Sequence, residues 1–393
     1  MRIGGVRMLL IERKILDHLE KNKNILFFVM ISLLGFAIRQ AGRDFISNDM
    51  QKFLIPWYEM IREQGGFPSL RVQVGDYNLL YQTIIAALTY LPGDCVIYYK
   101  AVSILFDYWM AVSAAVFTSK LAGSEKFGTA FQITYASVLL LPTVILNSAY
   151  WGQCDSIYTT FMILTLMDLY EEKYPQAFFM LGLGFAVKLQ TVFLLPFLLV
   201  YYVYKKKFSI FCFLLSLLSF YGSGIVAFLY GRSFAEPFRI YIGQTGLYKH
   251  MYLNVSSFWV LLGDHYSELG KFALILTIAL CGLGLYLVLA SKLRIDSADS
   301  FIGAAIGFVW LCILFLPAMH ERYTYPLDIL LLILAAVDRK YLKYAVVSEL
   351  LSLSTYGAYL FGTGGVTCLH AVLFTAAWLY YVYEQMHGRR EEI

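Results

Sequence analysis

The sequence predicts an all-α, polytopic membrane protein, and three observations predict it. Apolar stretches long enough to cross a hydrocarbon core of about 30 Å recur down the whole chain. Hydrophobic residues fill 59% of its 393 positions and charged residues only 15%, against roughly a quarter charged in a soluble domain. The Lys and Arg residues gather in short turns on one side of those stretches, while the turns on the other side are long and mixed in charge.

Taken in order, the first span is 24–40. A basic start (Arg2, Arg7, Arg13, Lys14, Lys21, Lys23) leads into it without a small-residue cleavage site, so no cleavable signal peptide is expected. The polar segment 43–92 follows, and within it 82–91 is too short to cross alone and suits a re-entrant piece. Further candidates are 96–119, 127–146, 157–170, 175–187, 191–204, 208–230, 272–290, 301–318, 325–337, 341–360 and 366–383, about twelve crossings in one transmembrane domain spanning 1–393, the spans after the first lying within 96–383. Cytoplasmic turns would hold Lys120, Lys126, Lys173, Lys205, Lys206, Lys207, Lys292, Arg294, Arg339, Lys340, Lys343, Arg389 and Arg390, which places both termini inside. Segments 43–92 and 231–271 are then long external loops, where function more often sits. The six cysteines have no CxxC spacing, which argues against a zinc site. A Cys95–Cys154 bridge is conceivable because both fall outside. The aromatic load (31 Tyr, 30 Phe, 6 Trp) exceeds what interface anchoring asks for and suits a groove gripping a lipid-like or sugar ligand.

The polar motifs share the external side. Asp44 and Asp49 follow the first span; after Asp49, the residues Phe53, Trp57, Met60 and Ile61 fall on one helical face and Lys52, Glu59, Arg62 and Glu63 on the other, an interfacial helix. Asp49 is then either a helix cap or a catalytic base at headgroup depth. Asp44 is a second carboxylate, a metal ligand with Asp49, or a solvated loop residue. Gly75-Asp76-Tyr77-Asn78 could bind sugar hydroxyls or cap the next helix. Trp151-Gly152-Gln153-Cys154-Asp155-Ser156 is a compact polar turn in which Asp155 and Ser156 can cap and Trp151 can anchor. Lys188 sits between two short apolar segments, where an ammonium needs an anion or a route to water; a phosphate is the preferred partner. His320-Glu321-Arg322-Tyr323 suits an anionic group, and it lacks the HExxH spacing of a zinc hydrolase. The loop 232–264 adds Arg239, Lys249 and Asn254 and is long enough to close over a site.

At these residues the sequence resembles the bacterial integral-membrane glycosyltransferases of the C type, in the branch related to the GPI mannosyltransferases, and more distantly the dolichyl-phosphate-glucose glucosyltransferases. The resemblance is carried by Ser47-Asn48-Asp49-Met50 through Phe53-Leu54-Ile55-Pro56-Trp57-Tyr58-Glu59, Gly75-Asp76-Tyr77-Asn78, Lys100 through Phe106-Asp107-Tyr108, Trp151 through Ser156, Lys188-Leu189-Gln190 and His320 through Tyr323. It covers about positions 40 to 330 in the family's order, and the tail beyond is generic apolar sequence. Leu79-Leu80 departs from it, since relatives often carry two prolines there. The resemblance implies the GT-C fold and an inverting transfer of one sugar from a polyprenyl-phosphate donor, undecaprenyl phosphate in a bacterial plasma membrane, to an extracytoplasmic glycan or glycolipid. It implies a first-loop carboxylate as base, mapping to Asp49 with Asp44 as rival. The donor phosphate falls to Lys188, His320, Arg322, Arg239 and Lys249. Sugar or acceptor contacts fall to Asp76, Tyr77, Asn78, Trp151, Gln153, Asp155, Glu321 and Asn254. Expected partners are these substrates and membrane lipids, not nucleic acid; no cofactor is required, and a divalent metal at Asp44 and Asp49 is permitted. A lipid-linked-oligosaccharide flippase, a secondary transporter and a polysaccharide polymerase are the competing readings.

Overall fold

A computed structural model describes residues 9–290 and 295–387; Arg2, Arg7, Lys292, Arg294, Arg389 and Arg390, which entered the orientation above, lie outside the described residues. Each predicted apolar stretch is helical, but few reach crossing length. Among the described residues four helices are long and apolar enough to span a membrane, Lys23–Gln40, Cys95–Leu121, Tyr266–Ala290 and Ala298–Phe315. A fifth arises if Thr129–Leu139 and Pro142–Trp151, bent by 50°, count as one. The expectation of about twelve is therefore not what helix length gives. Breaks at Pro142, Lys188 and Gly224 leave pieces such as Tyr174–Val187 and Cys212–Ser223: Pro cannot donate the next helical bond and Gly weakens helix propagation, while Lys188 adopts an extended backbone and donates to Asp155. Leu342–Phe361 and Cys368–His387 are long enough, but hydroxyls or charges dilute them. The predicted short piece is the helix Leu79–Leu88, its first N–H accepted by the Asn78 side chain at 2.8 Å.

Helices Cys95–Leu121, Asp155–Tyr170, Ala298–Phe315 and Tyr325–Val337 form the buried centre. Lys23–Gln40 and Tyr266–Ala290 run along the outside with Leu33, Phe36, Ile275 and Ile278 exposed, an apolar surface suited to lipid. Two buried cations tie this shell together. Arg39 donates through Nε to Asp107 Oδ2 at 2.9 Å and through its other nitrogens to the carbonyls of Gly35 and Leu139, and Ser148 Oγ donates to the same Oδ2 at 2.5 Å. Lys100 gathers the carbonyls of Gly42, Arg43 and Phe45 at 2.6, 2.9 and 2.5 Å. Its ammonium thus ties together the carbonyls of the turn that follows the first long helix, and it fixes where the first loop begins.

The interfacial helix differs in phase from the expectation. Met50–Leu54 is a π turn ahead of the helix Ile55–Glu63, and the buried stripe is Met50, Leu54, Tyr58 and Ile61, with Tyr58 donating to Leu88 O at 3.2 Å. Phe53 and Met60 stay exposed. The wider π turn rotates the following residues relative to an unbroken α-helix. Cys95 and Cys154 are both buried and free, so the conceivable bridge is not formed.

Candidate active site

Ser47 decides the fate of Asp49. The Ser47 hydroxyl accepts the Met50 N–H at 3.2 Å and donates to Trp151 O at 3.1 Å, so Ser47 caps the turn and the Asp49 side chain makes no cap bond. The carboxylate turns instead to partners from the far parts of the chain. Oδ2 accepts Trp151 Nε1 at 2.9 Å and Gln153 Nε2 at 3.2 Å, with Arg322 Nη1 at 3.6 Å. Oδ1 accepts the Tyr359 hydroxyl. The Trp151 ring is the common support: Tyr359 stacks on it at 4.3 Å and 14°, and the Arg322 guanidinium lies 5.4 Å from its centroid. A second π turn, Leu146–Trp151, delivers that indole. Gly152 then reverses the chain at φ +72°, where an added Cβ would strike the Met50 side chain.

Beneath this carboxylate lies another. Asp155 is fully buried and takes Lys188 Nζ at 2.5 Å on Oδ1 and Asn147 Nδ2 at 2.9 Å on Oδ2, with Arg322 Nε at 3.9 Å. Lys188 sits in an extended break after the helix Tyr174–Val187, and its buried charge is compensated by Asp155. Arg322 therefore bridges Asp49 and Asp155, and it also meets Glu321 Oε1 at 3.4 Å. Burial pushes the Glu321 carboxyl up to about 7, although Arg322 beside it pulls the other way. Burial, then Arg322 and Lys188, hold His320 well below the usual histidine range, and its Nε2 has no hydrogen-bond partner. A two-residue parallel bridge, Tyr252 to Met319 and Leu253 to His320, clips the second long loop onto this segment.

These groups converge on one cavity of about 1000 Å³. Asp49, Gln153, Lys188, His320, Arg322 and Tyr359 are among its polar lining, and Phe53, Trp57, Phe193 and Leu316 among its apolar walls.

Measured against expectation, Asp49, Asp76, Tyr77, Gln153, Lys188, Asn254, His320, Glu321 and Arg322 all line the cavity. Tyr77 donates to Gln153 Oε1 at 3.1 Å and so sets the amide that holds Asp49. Asn254 is committed to Thr355 O and the Val366 N–H. Trp151 and Asp155 stand behind the wall, fully buried: Trp151 is a donor to Asp49 rather than an interface anchor, and Asp155 is a counter-ion rather than a cap. Asn78 is used up as a cap and on Pro237 O. Arg239 is exposed and paired with Glu236, Lys249 is exposed, and neither lines the cavity. Asp44 is exposed and away from it as well. A divalent ion shared by Asp44 and Asp49 fits poorly, because Asp49 already accepts three hydrogen bonds from the protein and faces the Arg322 guanidinium; among the described residues no three His, Cys, Asp or Glu side chains are grouped to hold one. Sequence reasoning missed Tyr359, in the tail read as generic apolar sequence, and Tyr248 and Lys271 at the cavity wall. The signal for Tyr359 was its place in the series Ser348, Ser352, Thr355, Tyr359, one polar stripe at helical spacing. The chain matches no protein-family model and no curated protein.

Proposed function

We propose that the chain is an integral-membrane glycosyltransferase of the GT-C type, moving one sugar from a polyprenyl-phosphate donor to an extracytoplasmic glycan or glycolipid with inversion at the anomeric carbon. In this reading the shorter apolar helices also cross, giving about twelve crossings in a single domain, with both termini cytoplasmic and the cavity opening outward. The observation that carries it is Asp49: a carboxylate freed from capping, facing a large cavity with cations beside it.

The acceptor hydroxyl attacks the anomeric carbon as Asp49 takes its proton on Oδ1, which keeps a lone pair beside the Tyr359 bond. The carbon–oxygen bond to the lipid phosphate breaks, and the phosphate leaves with the electron pair. Lys188, Arg322 and a donating His320 N–H are the groups at hand to receive it. Because Lys188 and Arg322 already offset Asp155 and Asp49, the site has little positive charge to spare beyond Lys271 on its wall. That favours a singly charged phosphodiester donor over the diphosphate that a polysaccharide polymerase would use. A second, almost wholly apolar groove of about 520 Å³, lined by Leu181, Phe185, Phe213 and Phe220, shares Leu189 and Thr245 with the cavity and suits a prenyl chain.

The test is sugar transfer by purified protein given a panel of polyprenyl-phosphate sugars and a lipid-linked acceptor pool, with Asp49→Asn alongside and EDTA present or absent. Consumption of one donor by wild type, and binding without turnover by a folded Asp49→Asn, supports the reading. If no donor is consumed while labelled lipid-linked oligosaccharide crosses vesicles, the protein is a flippase; equal turnover by Asp49→Asn removes the base.

A further inference from the structure

The cavity beside Asp49 holds one cation that the protein itself does not use. Lys188 is spent on Asp155, and Arg322 on Asp49, Asp155 and Glu321. Lys271 lines the same cavity, yet among the described residues its ammonium makes no ion pair and no hydrogen bond. The acid on its own helix, Glu268, lies three residues earlier and meets the His265 ring at 3.5 Å instead. Asp76, the remaining carboxylate of the lining, makes no ion pair with it either. A free ammonium in a cavity is a place for an anion from outside the chain.

The helix that carries Lys271 says what kind of anion. Tyr266–Ala290 runs along the outside of the bundle, and Ser267, Lys271, Leu274 and Ile278 follow one another up a single face at spacings of four, three and four. Ser267, Lys271 and Leu274 line the cavity. Leu274 and Ile278 are 49% and 63% exposed on the outer apolar surface. One face thus passes from a hydroxyl and an ammonium at the cavity to a stripe open to hydrocarbon. That order matches a lipid with an anionic head, its phosphate at Lys271 and Ser267 and its chain along Leu274 and Ile278. A free glycan would leave the apolar stripe unused. The position is also separate from the donor's. The groove assigned above to the donor's prenyl chain meets the cavity at Leu189 and Thr245, and no residue of Tyr266–Ala290 lines it.

We propose that Lys271 holds the phosphate of a second lipid, the acceptor, so that the sugar is passed to an anionic lipid-linked glycan; this rests on the transferase reading. The cavity is then entered by two lipids from two sides, the donor by the groove and the acceptor along Tyr266–Ala290.

The test is native mass spectrometry of the full-length protein in detergent with farnesyl phosphate, farnesol at the same concentration marking non-specific uptake. The expected result is two bound molecules in wild type and in Lys271→Arg, and one in Lys271→Gln. Steady-state transfer is read beside it, with one glycan presented either on a prenyl phosphate or on a plain alkyl chain. Lys271→Gln should raise KM for the phosphate-linked acceptor about ten- to a hundredfold, and far less for the alkyl-linked one. A single bound molecule in wild type overturns the proposal without any variant, and a Lys271→Gln protein that keeps two overturns it as well. So does a rise in the donor's KM in place of the acceptor's. Displacement of the second molecule by phosphatidylglycerol or by inorganic phosphate also overturns it, making Lys271 a contact for bulk headgroups or free anions. Two bound molecules that fall to one in Lys271→Gln, with no donor consumed, keep the lipid-phosphate site and remove the transferase reading alone.

Discussion

Tyr359 donates its hydroxyl to Asp49 Oδ1 across 310 residues of sequence, from a helix near the end of the chain to the loop after the first long helix. Loss of that donor removes a charge-assisted bond worth about 1.5–3 kcal/mol. If the bond orients the base, Tyr359→Phe lowers kcat/KM by about ten- to a hundredfold with donor affinity nearly unchanged. A titration of donor binding beside steady-state transfer separates the two.

Lys188 and Asp155 form a buried pair, and breaking it from one side strands a charge. Lys188→Met is expected to cost about 3–5 kcal/mol of stability, read as a lower thermal midpoint. Pairing it with Asp155→Leu should recover much of that loss. Donor binding should stay weak in the double variant, because the ammonium is gone. Recovery of binding along with stability would show that Lys188 has only a structural role.

Glu321 gives the site a pH dependence whose sign is fixed. Its carboxyl is raised in the folded protein from 4.5 to about 7. The contribution of its bound proton is thus fully present below the unfolded value and is lost as pH rises through about 7, by at most about 1.4 kcal/mol per pH unit. Ionised Glu321 also competes with an anionic ligand for Arg322, so donor affinity should fall over the same interval. Glu321→Gln should flatten both profiles, checked by thermal denaturation and donor titration between pH 5 and 8.

Asp44 is the rival of Asp49 as the first-loop base, and a single pair of variants distinguishes them. Asp44→Asn should transfer sugar like wild type, its side chain being exposed and outside the cavity, whereas Asp49→Asn should not turn over. Activity assays on the two proteins, with circular dichroism to confirm folding, are sufficient.

Helices were legible wherever the apolar pattern was long and the breaks were Pro or Gly. The polar motifs were legible too, because Asp49, Gln153, Lys188 and Arg322 stand out against an apolar background and do converge. What the pattern could not give was partnership. Nothing local tells that Ser47 rather than Asp49 caps the turn, or that Asp155 spends its charge on Lys188. Nor does a hydropathy pattern reveal a π turn, so the stripe expected at Phe53, Trp57, Met60 and Ile61 emerged at Met50, Leu54, Tyr58 and Ile61. Number of crossings was the least legible, since helices of ten to seventeen residues have no length of their own that decides whether they traverse.

The two π turns, Met50–Leu54 and Leu146–Trp151, carry one residue more than an α path would need. Each is thus a place where the chain's phase is set by a single insertion. Removing that residue would restore an ordinary helix and swing everything on one side by about 100°, turning Asp49 or the indole of Trp151 away from the other while leaving both helices intact. The encounter of these two side chains is therefore encoded less by which residues are present than by how many lie between the fixed ends. A family that lengthened or shortened either turn by one position would keep its fold and lose this carboxylate's company.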